Sequence, residues 1–127
     1  MKILIVDDEM AIIEYTMLIL NNAGFETLSA SSAKEALKIF YDHRPGIIVT
    51  DLRLGGDMDG VALCSRILHE DNSVVVIAMS GYFSEYDKAY CQGVGFTEAL
   101  AKPIDPDHLI SAINCAVERR QRWKHLP

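Results

Sequence analysis

Five polar side chains stand where short apolar runs end. Asp7 and Asp8 follow Ile3-Leu-Ile-Val6, and Asp51 follows Ile47-Ile-Val-Thr50. Ser80 follows the run VVVIAM at 74–79, and Lys102 follows TEALA at 97–101. Three carboxylates brought together repel, and one is driven neutral unless a positive charge sits among them. A hard divalent cation, Mg²⁺ by preference, meets that need with oxygen ligands and retained water. A lysine is a compact charge suited to a phosphate oxygen. A serine hydroxyl can donate to the same group. Cation, ammonium and hydroxyl together make a receptor for a phosphoryl group rather than for a neutral ligand. A carboxylate can itself be the nucleophile and form an aspartyl phosphate. Asp51, at the end of a rigid strand, is the candidate.

These residues meet only if the runs are parallel strands with their carboxyl ends on one edge, where open α/β sheets bind ligands. Residues 3–6, 46–50 and 74–79 are continuously apolar, as strands covered on both faces are. Residues 26–29 and 97–101 are shorter and partly polar, the character of edge strands. Helical patterns fall between them. Residues 9–23 carry Ile12, Ile13, Tyr15, Met17, Ile19 and Leu20 as an apolar stripe, stopped by Ala23-Gly24. Ser32 and Glu35 form a capping box opening a helix through Tyr41, and Pro45-Gly46 break the chain after it. Val61 to His69 and Glu85 to Gln92 read as the next two helices, the second ended by Gly93. Asp105 or Asp107 caps the last, which carries Leu109, Ile110, Ile113, Ala116 and Val117.

The expected fold is α/β: a single-domain (βα)5 doubly wound parallel sheet with right-handed crossovers. Neighbouring strands lie about 4.8 Å apart, so Asp7, Asp8 and Asp51 share one cation only if strands one and three are adjacent. That selects the flavodoxin-like order 2-1-3-4-5. The order 3-2-1-4-5 would open a gap of roughly 10 Å.

The chain has 127 residues, half of them apolar and 24% charged, which suits one globular domain. A net charge of −6 argues against a nucleic-acid-binding surface over the body of the domain. Cys64, Cys91 and Cys115 are odd in number and widely spaced, so they read as small core residues in a reducing compartment. No signal-peptide pattern appears, and no apolar run approaches the roughly 20 residues of a membrane span. The chain reads as cytoplasmic. Residues 1–121 are expected as the domain and 122–127 as a basic tail or the start of a linker.

The pieces ILIVDDE, IIVTDLRL followed by MDG, AMSG and AKPI, in this order and at these separations, resemble the receiver domain of two-component response regulators. The resemblance runs from residue 2 to about 120. It implies a signalling domain that accepts a phosphoryl group from a sensor histidine kinase or a histidine phosphotransfer protein, with Mg²⁺. Carried onto this chain, Asp51 is the phosphoacceptor and Asp7 and Asp8 are the acid pair, with Asp8 the direct metal ligand. The backbone carbonyl of Arg53 is a further ligand, Ser80 the switch hydroxyl and Lys102 the phosphate-binding lysine. The Lys102-Pro103 bond is expected cis. Asp57 and Asp59 belong to the turn before helix three, where Asp59 can cap. The resemblance implies no enzyme beyond its own phosphoryl transfer and dephosphorylation. It implies no direct contact with nucleic acid or membrane, leaves a homodimer open, and leaves the downstream protein or fused output domain unnamed.

The chain departs from the family pattern in three places. Gly55 replaces a usual proline in a loop one residue longer than the norm. Ala99 stands where the family has an aromatic, three residues before Lys102. Arg53 and Tyr82 fill the places, two residues after Asp51 and Ser80, where family members tune dephosphorylation. Two other functions compete. One is a receiver-like interaction module that works without phosphorylation. The other is an aspartate-nucleophile phosphatase, which wants an acid two residues beyond its nucleophile where this chain has Arg53, and so ranks last.

The remaining polar features have structural readings. His43, His69, His108 and His125 show no ligand spacing and read as surface residues. Met10, Met17, Met58 and Met79 read as packing. Arg119, Arg120, Arg122 and Lys124 read as charge complementing a helix C-terminus, with Trp123 beside them keeping a docking reading open.

Overall fold

Residues 1–81 and 85–124 of the computed structural model are described here, without the side chains of Glu85, Tyr86 and Lys124. The readings made for Tyr82 and His125 lie outside the described residues. Strand and helix alternate five times: β1 (Lys2–Val6), α1 (Met10–Asn22), β2 (Glu26–Ala30), α2 (Ala33–His43), β3 (Ile47–Asp51), α3 (Gly60–Glu70), β4 (Val75–Ser80), α4 (Glu85–Val94), β5 (Glu98–Ala101) and α5 (Pro106–Lys124). The strands are parallel in the order β2-β1-β3-β4-β5. This is the doubly wound order that a cation shared between strands one and three requires.

Side chains alternate across each strand, so the sheet builds two cores. Leu4, Val6, Ile48, Val76 and Ala78 pack with Phe40 of α2, Leu63 and Ile67 of α3 and Cys91 of α4. Ile3, Ile5, Ile47, Val49, Ile77 and Met79 pack with Ile13 and Leu20 of α1 and Leu109 and Ile113 of α5. Every residue of β3 and β4 is buried, because helices cover both faces there. Each of these large side chains contributes roughly 1.5–3 kcal/mol on burial. The partly polar runs are indeed the two edges, β2 and β5.

Several local readings need correction. Gly93 does not end α4, which runs to Val94. The stop is Gly95 at φ +127°, whose N–H donates to Cys91 O. A left-handed residue closes the helix, and only glycine adopts that conformation without strain. In α1 the buried line is Ile13, Thr16 and Leu20, while Tyr15 is 42% exposed and Met10 is exposed as well. Thr16 is buried without an orphan hydroxyl because its Oγ1 donates to Ile12 O at 2.7 Å. Half of the capping box forms: Ser32 Oγ accepts from Glu35 N–H at 3.1 Å, but the Glu35 carboxylate turns to the Ser31 hydroxyl. Cys115 is exposed, unlike Cys64 and Cys91, because it points away from the α5 face that meets the sheet.

The basic end of the chain is helical through Lys124, past residue 121. Arg120 is not simply solvated charge near a helix terminus. Its Nη1 donates to Ser73 O at 2.8 Å and to Ser73 Oγ at 2.9 Å. The guanidinium lies over Gly46, where a Cβ would come within 2.9 Å of Nε.

Candidate functional site

The register of the sheet puts the chemistry-bearing residues on one edge. Val6 pairs with Thr50, so Asp7 stands level with Asp51 on the adjacent strand. Asp51 pairs with Met79, so Ser80 lies one step beyond it. Ser80 pairs with Ala101, so Lys102 follows at the end of β5. The Lys102 N–H donates to Ser80 O at 2.7 Å, and the Lys102-Pro103 bond is cis.

Asp7 is fully buried, Asp51 and Ser80 nearly so, and Asp8 is exposed at the mouth. Carboxylate oxygens of Asp7, Asp8 and Asp51 lie within 4.8 Å of one another, a donor set that a hard divalent cation fits. The Lys102 ammonium is 2.7 Å from Asp7 Oδ2 and 3.2 Å from Asp51 Oδ2. Backbone donors orient the acids from the other side: Glu9 N–H to Asp7 Oδ1 at 2.9 Å, and Arg53 N–H to Asp51 Oδ1 at 3.3 Å. Arg53, whose carbonyl is expected as a further metal ligand, also reaches the site through this N–H.

Burial pushes the Asp51 carboxyl above its ordinary range, and nearby Asp7 adds to the rise. The Arg53 N–H and the Lys102 charge only partly offset it. For Lys102, burial disfavours the ammonium, but the hydrogen bond to Asp7 and the charges of Asp51 and Asp7 outweigh it and raise the pKa. Lysine therefore stays charged among the acids.

Above them opens a cleft of about 400 Å³, lined by Asp8, Glu9, Asp51, Arg53, Ser80, Gly81 and Lys102. It is an open, polar receptor with an anchored cation on one side and an exposed acid on the other. Such a site suits a small, highly charged group that arrives from solvent.

Asp57 stays outside the cluster, exposed in the turn. Asp59 caps α3, accepting from Ala62 N–H at 2.8 Å. His43, His69 and His108 are exposed. The sequence reading missed Gly60. Its N–H donates to Leu52 O, and α3 begins so close to β3 that a Cβ on Gly60 would collide with the Asp51 carbonyl. It missed Glu9 as well, which lines the cleft; its place next to the acid pair was the available signal.

The family model described as the response regulator receiver domain matches residues 3–114. The chain is 27% identical over 120 residues to the alkaline phosphatase synthesis transcriptional regulatory protein PhoP of Bacillus subtilis, covering 94% of this chain and 50% of that protein. It is also 27% identical over 120 residues to the DNA-binding response regulator MtrA of Mycolicibacterium smegmatis, covering 94% of this chain and 52% of that one. The chain thus spans about half the length of these curated relatives. Among solved structures, the receiver domain of NtrX from Brucella abortus superposes with a TM-score of 0.87 at 32% identity, covering 91% of this chain and 98% of that one. A response regulator receiver domain from Clostridium thermocellum gives 0.89 at 29% identity, covering 96% and 98%. On the family match, the strand order and these structural neighbours, the chain belongs to the response regulator receiver domains.

Proposed function

We propose that this receiver domain takes a phosphoryl group onto Asp51 in a Mg²⁺-dependent reaction and uses it to switch a protein-interaction surface. The observation that carries this reading is the convergence of Asp7, Asp8 and Asp51 within 4.8 Å, with Lys102 at 3.2 Å from Asp51. The donor is a sensor histidine kinase or a histidine phosphotransfer protein. An Asp51 carboxylate oxygen attacks phosphorus, the phosphorus–nitrogen bond of the donor breaks, and the imidazole leaves. Asp8, Asp51 and Asp7 are the residues that would hold Mg²⁺, which supplies charge neutralisation for the phosphoryl oxygens. Lys102 and Ser80 neutralise and bind the oxygens of the product. The acyl phosphate carries about −1.5 to −2 charge where the carboxylate carried −1, and the added charge and oxygens bias a two-state surface.

The domain's net charge of −6 supports a body that meets proteins rather than nucleic acid. The regulatory activities in the names of PhoP and MtrA are those of chains about twice as long. Among the described residues, no helix is long and apolar enough to cross a membrane.

A second reading, an interaction module that works unphosphorylated, draws on one observation: Lys102 already supplies a cation inside the acid cluster. One experiment separates the two. After incubation with acetyl phosphate and Mg²⁺, intact-mass spectrometry should find one added phosphoryl group on the wild type and none on Asp51→Asn. Label on both proteins would refute Asp51 as the acceptor. No label on either would bring the interaction module forward.

A further inference from the structure

Tyr15 stands outside the buried line of α1. Ile13, Thr16 and Leu20 face the sheet, and Tyr15 is exposed beside them. Its hydroxyl still has a definite partner, donating to the carbonyl of Ile104 at 3.2 Å. A phenylalanine would occupy the same space, so the hydrogen bond is what the tyrosine adds.

Ile104 lies between β5 and α5, directly after Lys102-Pro103. Its side chain is buried in the core that holds Ile13 of α1 and Leu109 of α5, while Pro103 and Asp105 on either side are exposed. The ladder of α5 opens at Asp105, whose carbonyl accepts from Leu109 N–H, and the carbonyl ahead of it goes to Tyr15. A main-chain carbonyl in a buried residue needs such a partner.

This bond and the Asp7–Lys102 ion pair fasten the same two segments. Asp7 follows β1 and leads into α1, which carries Tyr15. Lys102 follows β5 and leads to Ile104. A lysine ammonium rides on a flexible four-carbon stem, so its reach depends on where its main chain is held. On one side the Lys102 N–H is held by Ser80 O at 2.7 Å. On the other, Ile104 is held by its buried side chain and by Tyr15.

We propose that Tyr15 is a positioning residue for phosphoryl transfer, holding the segment after β5 so that Lys102 reaches the phosphoryl oxygens on Asp51. When the ammonium turns to those oxygens it gives up its tie to Asp7, and the main-chain ties are what remain to aim it. Tyr15 does not line the cleft above Asp51 and acts through Lys102. The proposal rests on the reading of Asp51 as acceptor, and adds that a hydroxyl on α1 sets the rate.

The test uses acetyl phosphate, so that no donor protein has to dock. The Asp51 oxygen attacks phosphorus and acetate leaves. Intact-mass spectrometry follows labelling over time in saturating Mg²⁺, on the wild type, Tyr15→Phe, Lys102→Ala and the double variant. Melting curves confirm that each is folded at the assay temperature. Tyr15→Phe should label roughly fivefold more slowly than wild type, the scale of one lost hydrogen bond. On the Lys102→Ala background the same change should make no further difference, because the group it positions is gone. Placing 4-aminophenylalanine at position 15 keeps a donor at the end of the ring and should restore the rate to within about twofold of wild type.

A folded Tyr15→Phe that labels at the wild-type rate overturns the proposal. Equal slowing on the Lys102→Ala background also overturns it, since the tyrosine would then act by another route. If Lys102→Ala takes no measurable label, the amino variant decides, and a rate left at the Tyr15→Phe level counts against the proposal. Label on the wild type without an effect of Tyr15→Phe removes this proposal alone. No label on the wild type removes the acceptor reading, and this proposal with it.

Discussion

The ammonium of Lys102 lies 2.7 Å from Oδ2 of Asp7, a residue with no solvent exposure. The two groups are 95 positions apart in the chain and meet because β1 and β5 end on the same edge. Lys102 is therefore a counter-ion of the resting site as well as a candidate ligand for phosphate. Lys102→Ala leaves a buried carboxylate without its cation. Loss of one partner of a fully buried pair costs about 3–5 kcal/mol. Partial exposure of the lysine brings the expected loss nearer to about 2 kcal/mol. Thermal unfolding in EDTA should show a melting temperature lower by roughly 8 °C. Asp7→Asn combined with Lys102→Ala should lose less than the sum of the single changes, by about 1–3 kcal/mol. Strict additivity would show that the pair is uncoupled.

Asp51 is a stability liability of the metal-free protein. Its folded pKa is raised above the ordinary 3.8, chiefly by burial. A raised pKa means that the folded state holds its proton more tightly than the unfolded one. The associated stability is fully present below pH about 3.8 and is lost as pH rises through the folded value. At neutral pH, Asp51→Asn removes that cost, so the melting temperature in EDTA should rise by a few degrees, on the order of 1 kcal/mol. The gain should shrink as pH falls toward 4. Millimolar Mg²⁺ should reverse the ranking by stabilising the wild type more than the variant. A melting temperature unchanged by Asp51→Asn at pH 7 in EDTA would contradict the burial argument.

Two glycines near the site should respond differently. A methyl on Gly60 would collide with the main chain of Asp51 and come within 2.9 Å of Leu52 Cα. Backbone cannot yield as a side-chain tip can. Gly60→Ala should cost about 1–3 kcal/mol and slow labelling of Asp51 by acetyl phosphate, because the strand end must shift. Gly81 faces open space, with nothing within 4 Å of its Cβ position. Gly81→Ala should stay within about 0.5 kcal/mol of wild type. Equal melting curves for the two variants would remove the steric account.

The far end of α5 has its own anchor. Ser73 receives Arg120 through both its carbonyl and its hydroxyl, and Asp71 accepts from Ser73 Oγ at 2.6 Å. The Asp71 carboxyl is held below its ordinary value, first by the Ser73 hydroxyl and also by the charges of Arg120 and Arg44. A depressed pKa stabilises the fold above the ordinary carboxylate range, and that contribution fades as pH falls through the folded value. Arg120→Ala should speed amide hydrogen exchange over residues 117–124 while leaving α1 and the central strands protected. Exchange unchanged in that last stretch would show that the helix end holds without the arginine.

Much of the site was legible in the sequence because parallel strands end in a predictable place. Four apolar runs with Asp-Asp, Asp, Ser and Lys immediately after them identify one edge of a sheet, and the need of three acids to share one cation selects the strand order. Local signals also worked where the chemistry is local: Asp59 caps α3, and Gly24 follows α1 at φ +93°. They failed where a neighbour from elsewhere decides. Thr16 is buried and Tyr15 is not because the sheet beneath α1 chooses the face. Arg120 reads as surface charge until α5 is laid across Gly46. Cys115 resembles the other two cysteines in sequence and differs only in the direction it points. The acid cluster, the strands and their order were thus set by residue type and spacing. The pairing of Lys102 with Asp7 and the closeness of Gly60 to Asp51 were set only by packing, since each depends on atoms brought together from separate elements.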